Sequence, residues 1–204
     1  FDNSFDAGAR NIRAHIEKKE NGNLRFFIID DGRGIKNTHK DDDDIIHEGI
    51  PYVLAYGGRI PHHGRTAHIG KFGIGLSQTA SCLSTRTEVY TKTSADEEWR
   101  YSYYDFAELE EEDCLLPAEI NKRPPWIDLP ETGTIIILDD VDKVRRKTRP
   151  GHIVNELENT LGRVYRKYLG DGRKISISEK KKDKKKEKIV ERVLQISDPL
   201  HIIP

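Results

Sequence analysis

The sequence predicts an α+β chain, a two-layer sandwich with helices on one face of a mixed sheet. Apolar residues fall three or four apart near both ends, at Phe1, Phe5, Ala9, Ile12 and Ile16 and at Ile153, Leu157, Leu161, Val164 and Tyr168, the spacing of one helix face. Two short apolar runs, Leu24 to Ile29 and Thr134 to Leu138, have the composition of strands buried on both faces. Clusters of Gly, Asn and Pro separate these segments as turns do.

In chain order, the first helix is expected to run from Phe1 to about Lys19 and to stop at Asn21-Gly22-Asn23, residues that tolerate left-handed backbone. The strand Leu24 to Ile29 delivers Asp30 to its end, where α/β proteins commonly place ligands. A helix is expected from Asp42 to Tyr56, its acid run at the positive end of the helix dipole. Residues 57–70 have no periodicity and read as a long loop of the kind that forms lids. Leu76, Ala80 and Leu83 suggest a short buried helix, followed by strands near Thr87 to Lys92 and Trp99 to Phe106. Glu108 to Asp113 and Lys122 to Pro125 read as a solvated excursion before the strand at Thr134. Pro150-Gly151 opens an amphipathic helix ending at Gly170. Ile175 to Ser178 and Ile189 to Ile196 are expected to form a hairpin whose tip is the lysine run 180–188.

A chain of 204 residues holds one domain and the beginning of a second. We expect a core unit over 1–150, and a helix and hairpin over 151–204 leading into a following domain. The formal net charge of −1 provides no global field toward nucleic acid or a membrane, so any such contact is local. No apolar run approaches the roughly 18 residues of a membrane span, and no membrane partner is expected. Two cysteines, Cys82 and Cys114, fit a reducing compartment, cytoplasmic or, in a eukaryote, nuclear. With no methionine in it, the chain is expected to be an internal piece of a longer polypeptide.

Three separated segments carry chemistry. Asn3 offers a neutral oxygen suited to a Mg²⁺ whose shell is mostly phosphate oxygens and water; alone it is an ordinary helix cap. In Asp30-Asp31-Gly32-Arg33-Gly34-Ile35 the carboxylate can accept a hydrogen bond from the exocyclic amine of adenine, and the glycines let backbone approach the base. Alone it is a turn. Gly70-Lys71-Phe72-Gly73-Ile74-Gly75 frees backbone N–H groups at a helix start, an anion site or equally a glycine hinge. Lys71 can reach a phosphate; the plainer reading is a solvated lysine. His47, His62, His63 and His68 lack the spacing of a zinc site and fit a polar lid better. The lysine run reads as a solvated tip, with contact to DNA phosphates as the alternative.

Together these segments resemble the GHKL ATPases, the superfamily of gyrase B subunits, ninety-kilodalton heat-shock chaperones, sensor histidine kinases and MutL proteins. Asn3 with Asp6-Ala7 is similar to that superfamily's N box, Asp30-x-Gly32-x-Gly34 to its adenine motif, and Gly70-x-x-Gly73-x-Gly75 to its phosphate-lid motif. Gly133-Thr134 is similar to the fourth motif, and the resemblance covers residues 1 to about 140. It implies the Bergerat ATP-binding fold, ATP and Mg²⁺ as cofactors, Asn3 as metal ligand, and contacts to nucleotide from Ala7, Asp30, Gly32, Gly34, Ile35, Gly70, Lys71, Phe72, Gly73, Ile74, Gly75 and Thr134.

The resemblance also implies a general-base glutamate one helical turn before Asn3, ahead of residue 1, so the chain itself holds no catalytic residue and is expected to hydrolyse ATP weakly. Asp2 cannot replace that base, since neighbouring positions point about 100° apart at roughly 3.6 residues per turn. Asn3-Ser4-Phe5-Asp6-Ala7 resembles MutL and MORC proteins, and Ile69 to Leu76 resembles MORC proteins and the chaperones. The expectation is a nucleic-acid-associated ATPase of MORC or MutL type whose lid closes on ATP and drives homodimerisation. A chaperone-type ATPase is the alternative, with a histidine kinase domain third.

Overall fold

A computed structural model of the chain describes residues 1–40, 44–55, 75–109, 117–141, 149–183 and 186–197. The order is helix α1 (Asp2–Asp6), strand β1 (Asn11–Lys18), β2 (Leu24–Asp30), β3 (Thr38–Lys40), β4 (Ile46–Glu48) and α2 (Gly49–Leu54). Then come α3 (Gly75–Leu83), β5 (Ser84–Lys92), β6 (Arg100–Asp105), α4 (Phe106–Leu109), β7 (Ile120–Asn121) and β8 (Gly133–Val141). The chain continues through α5 (Pro150–Val164), α6 (Arg166–Gly170), β9 (Lys174–Asp183) and β10 (Lys186–Val193).

Eight strands form one sheet in the order β10-β9-β1-β2-β8-β5-β6-β7, and β3 with β4 makes a small separate hairpin. β1 and β9 run parallel and the other neighbours antiparallel, so the sheet is mixed as expected. Residues from all six helices pack on one face, around Ile12, Ala14, Ile16, Ile175 and Ile177 of the central strands. Complete burial of an isoleucine such as Ile16 contributes about 1.5–3 kcal/mol. The other face has a smaller core of Phe27, Ile29, Tyr90, Tyr101, Ile135 and Ile137, covered by Trp126 and Leu129. The hairpin β9–β10 extends the same sheet, because β9 pairs with β1.

Four elements differ from the sequence expectation. The first helix ends at Asp6, not near Lys19, and residues 11–18 are a strand. Ile12 and Ile16 are four apart, a spacing that satisfies both a helix and a strand, and buried Ala14 between them shows the period of two. Gly8, at φ +80, ends the helix. In place of the helix expected over residues 42–56, β4 is followed by the short α2, whose first turn accommodates Pro51 because no intrahelical N–H is needed there. The lysine run is not confined to a tip, since β9 reaches Asp183 and β10 starts at Lys186. The helix expected from residue 150 to Gly170 is broken at Tyr165, with φ −98 and ψ 18.

The lid expected over 57–70, including His62, His63 and His68, lies outside the described residues, as do Gly70 to Ile74 and Cys114. His47 is on β4, stacked on Tyr52 with ring centroids 4.5 Å apart. Among the described residues no three metal-ligating side chains gather, and no helix is long and apolar enough to cross a membrane.

Candidate functional site

A polar row crosses an otherwise apolar sheet on its helix-covered face. Asp30 on β2 lies directly opposite Thr134 on β8, Thr134 opposite Thr91 on β5, and Thr91 opposite Arg100 on β6. Opposed residues in a sheet share a face, so the four side chains line up where β2 leaves the sheet.

Asp30 is the centre of the row. It is 5% exposed, and every donor that reaches it comes from a segment singled out by the sequence. Ser4 Oγ of α1 donates to Oδ2 at 2.8 Å, Gly32 N donates to Oδ1 at 3.0 Å, and Thr134 N donates to Oδ1 at 3.2 Å. Burial pushes the Asp30 carboxyl above its usual range, and the three hydrogen bonds oppose that. Oδ1 is doubly occupied by backbone donors, whereas Oδ2 holds a single hydroxyl and keeps capacity for another donor.

The turn after Asp30 is clasped to α1. Arg33 N donates to the Ala7 carbonyl at 3.1 Å, and Arg33 Nη1 donates to the Asp6 carbonyl at 2.7 Å. A Cβ on Gly32 would stand 2.9 Å from the Ala7 Cβ, so only glycine fits between Ala7 and the Asp30 carboxylate. Gly34 has φ +70, and a Cβ there would stand 2.5 Å from the Lys92 carbonyl oxygen. Ile35 is held at both backbone ends: its N–H donates to Thr91 Oγ1 at 2.8 Å, and its carbonyl accepts from Arg100 Nη2. Arg100 also pairs with Glu119. Thr132 Oγ1 ties the Gly32 carbonyl at 3.0 Å.

Asn3 is exposed on α1, one residue from Ser4. A single neutral oxygen there suits Mg²⁺ carried in by phosphates, and among the described residues no carboxylate cluster competes for the ion. Asp2, also on α1, is engaged elsewhere, its Oδ1 accepting from the Tyr165 hydroxyl at 2.6 Å. Gly75 begins α3 and is exposed, with nothing within 4 Å of a Cβ built on it. A cavity of about 370 Å³ adjoins Asp30 and Asp31 at the end of β2 and is otherwise lined by β1, β9, β10, Asp128 and Pro130. Arg13, which lines it, alternates along β1 with the core residues Ile12 and Ala14 and so belongs to the opposite face.

The structure thus brings together Ala7, Asp30, Gly32, Gly34, Ile35 and Thr134, with Asn3 on the adjoining helix. Ser4, Thr91 and Arg100 were not anticipated. The Ser4 signal was its place beside Asn3; Thr91 and Arg100 carry none in the sequence, since only strand register aligns them with Asp30. Residues 1–125, more than half of the chain, match the family model described as histidine kinase-, DNA gyrase B-, and HSP90-like ATPase. No curated protein matches the chain.

Proposed function

The chain belongs to the histidine kinase-, DNA gyrase B- and HSP90-like ATPases, and from that premise we propose that it binds ATP and ADP with Mg²⁺ through the Asp30 site. The buried Asp30 carboxylate carries this reading. A charge 5% exposed and without an ion pair to a cationic side chain among the described residues is costly, and a ligand donor that completes its hydrogen bonding recovers part of that cost. The exocyclic amine of adenine is such a donor, whereas guanine presents a carbonyl at the matching position and is repelled.

The remaining roles follow from position. Gly32 and Gly34 leave room for the base beside backbone, Ile35 offers an apolar contact, and Thr134 and Thr91 fix the floor of the site. Asn3 holds Mg²⁺, which when bound screens the phosphate charge. By its sequence alone, the glycine-rich segment Gly70 to Gly75 would offer backbone N–H groups to the phosphates. Asp2 is committed to Tyr165, so the general base of hydrolysis would be another group.

Within the superfamily we place the protein with the MORC- and MutL-like members, in which ATP closes a lid and drives homodimerisation next to nucleic acid. Asn3-Ser4-Phe5-Asp6-Ala7 and Ile69 to Leu76 support that choice. Calorimetric titration with ADP and GDP, with Mg²⁺ and with EDTA, tests the binding. Adenine-selective, Mg²⁺-strengthened binding is expected, and equal affinity for GDP contradicts it. Salt-dependent DNA binding by the full-length polypeptide tests the branch; ATP-driven dimerisation without it favours a chaperone-type protein.

A further inference from the structure

Helix α1 has five residues and no side-chain hydrogen bond at its N-cap, so its own backbone does little to fix its rotation. Besides the Ser4–Asp30 bond and the Arg33 bonds to the Asp6 and Ala7 carbonyls, its orientation depends on residues far along the chain, beyond the stretch matched by the family model. Phe5 stacks on Tyr168 of α6 with centroids 4.4 Å apart and an interplanar angle of 17°, and packs at 5.0 Å against Tyr165. Phe1 packs on Tyr165 at 6.0 Å. Arg173 lies over both Phe5 and Tyr168 and donates to the Phe5 carbonyl at 3.3 Å.

These contacts hold the apolar side of α1, and a polar contact holds its exposed Asp2. Tyr165, 8% exposed at the break between α5 and α6, donates its hydroxyl to Asp2 Oδ1 at 2.6 Å. An uninterrupted helix would carry residue 165 through with helical geometry; at φ −98 and ψ 18 the backbone turns, and the ring meets Phe1, Phe5 and Asp2 together. A buried phenol needs an acceptor, and Asp2 supplies it.

We propose that Tyr165 is a positioning residue for metal-dependent nucleotide binding: by holding Asp2 it sets the rotation of α1, and with it where the neighbouring Asn3 presents its oxygen to Mg²⁺. This rests on the reading of Asn3 as the metal ligand. Adenine recognition does not pass through the contact, because Ser4 and Asp30 are joined directly.

The test is Tyr165→Phe, which keeps the ring packing and removes only the hydroxyl. ADP affinity is measured by calorimetry with Mg²⁺ and with EDTA, and the ratio of the two is the gain due to the metal. We expect unchanged affinity in EDTA and a metal gain reduced about three- to tenfold, the effect of one hydrogen bond. Asp2→Ala should reduce the gain equally, and the double variant no further, because both remove the same interaction. A metal gain equal to the parent's overturns the proposal. So does an equal loss with and without metal, which marks a purely structural role. A parent that binds ADP without any metal gain overturns the proposal and the role of Asn3 while leaving adenine recognition intact. A parent that binds no ADP overturns the functional reading itself, and this proposal with it.

Discussion

Ser4 Oγ and Asp30 Oδ2, 2.8 Å apart, join the first helix to the end of the second strand across 26 positions of sequence. The hydroxyl is the only side-chain donor to that carboxylate among the described residues; the others are backbone amides. Ser4→Ala leaves burial of Asp30 less opposed, so its already raised pKa climbs further. Adenine recognition needs the ionised carboxylate, and affinity therefore weakens as pH falls through that pKa. We expect ADP affinity of Ser4→Ala to fall about tenfold at neutral pH and to recover partly as pH rises. Titrations at several pH values check it; a pH profile identical to the parent's would show that Ser4 does not tune Asp30.

Two glycines with similar backbone should respond differently. Gly34 has φ +70 with the Lys92 carbonyl in the way of a side chain, while Gly8 has φ +80 with open space around it. Gly8→Ala should cost about 1–2 kcal/mol from left-handed backbone alone and leave nucleotide affinity unchanged. Gly34→Ala should cost more and also weaken ADP binding, because the turn must move off Lys92. Thermal melts and calorimetry on both variants separate the effects.

The site was legible wherever its residues are neighbours in sequence. Asn3 with Ala7, and Asp30 with Gly32 and Gly34, can be read because the spacing of a turn is local. Thr91 and Arg100 could not be read, because their place beside Asp30 depends on how β5 and β6 register against β8, a tertiary property. Ile12 and Ile16 misled for a different reason: a spacing of four fits both periods, and the choice was made by pairing with β2 and β9 on either side. Tyr165 is not among the apolar positions read for the helix expected from residue 150 to Gly170, and its role becomes visible only because the helix breaks there.

A second cluster bears on acid stability. Burial alone would raise the Asp139 carboxyl, but hydrogen bonds from Arg25 and Lys19 outweigh it and hold it at about 2. A carboxyl depressed in the folded state contributes stability above its unfolded value of about 3.9 and loses it as pH falls toward the folded value. The denaturation midpoint should therefore drop between about pH 4 and pH 2. In Asp139→Asn it should start lower at neutral pH and change less across that window. An equally steep decline in the variant would assign acid unfolding to other groups.

Asp30→Asn tests the central claim most directly. A carboxyl raised in the folded state stabilises the fold only at low pH, and the benefit is lost as pH rises through its folded value, so above that value the ionised Asp30 costs stability. The asparagine can keep its oxygen on the Gly32 and Thr134 amides and turn its NH₂ toward the Ser4 oxygen, which then accepts where it had donated, and the charge is removed. That NH₂ then faces the adenine amine, donor against donor. Measured side by side at neutral pH, the account predicts a melting temperature at or above the parent's together with ADP affinity reduced about tenfold to a hundredfold. A variant that binds ADP as tightly as the parent would contradict it.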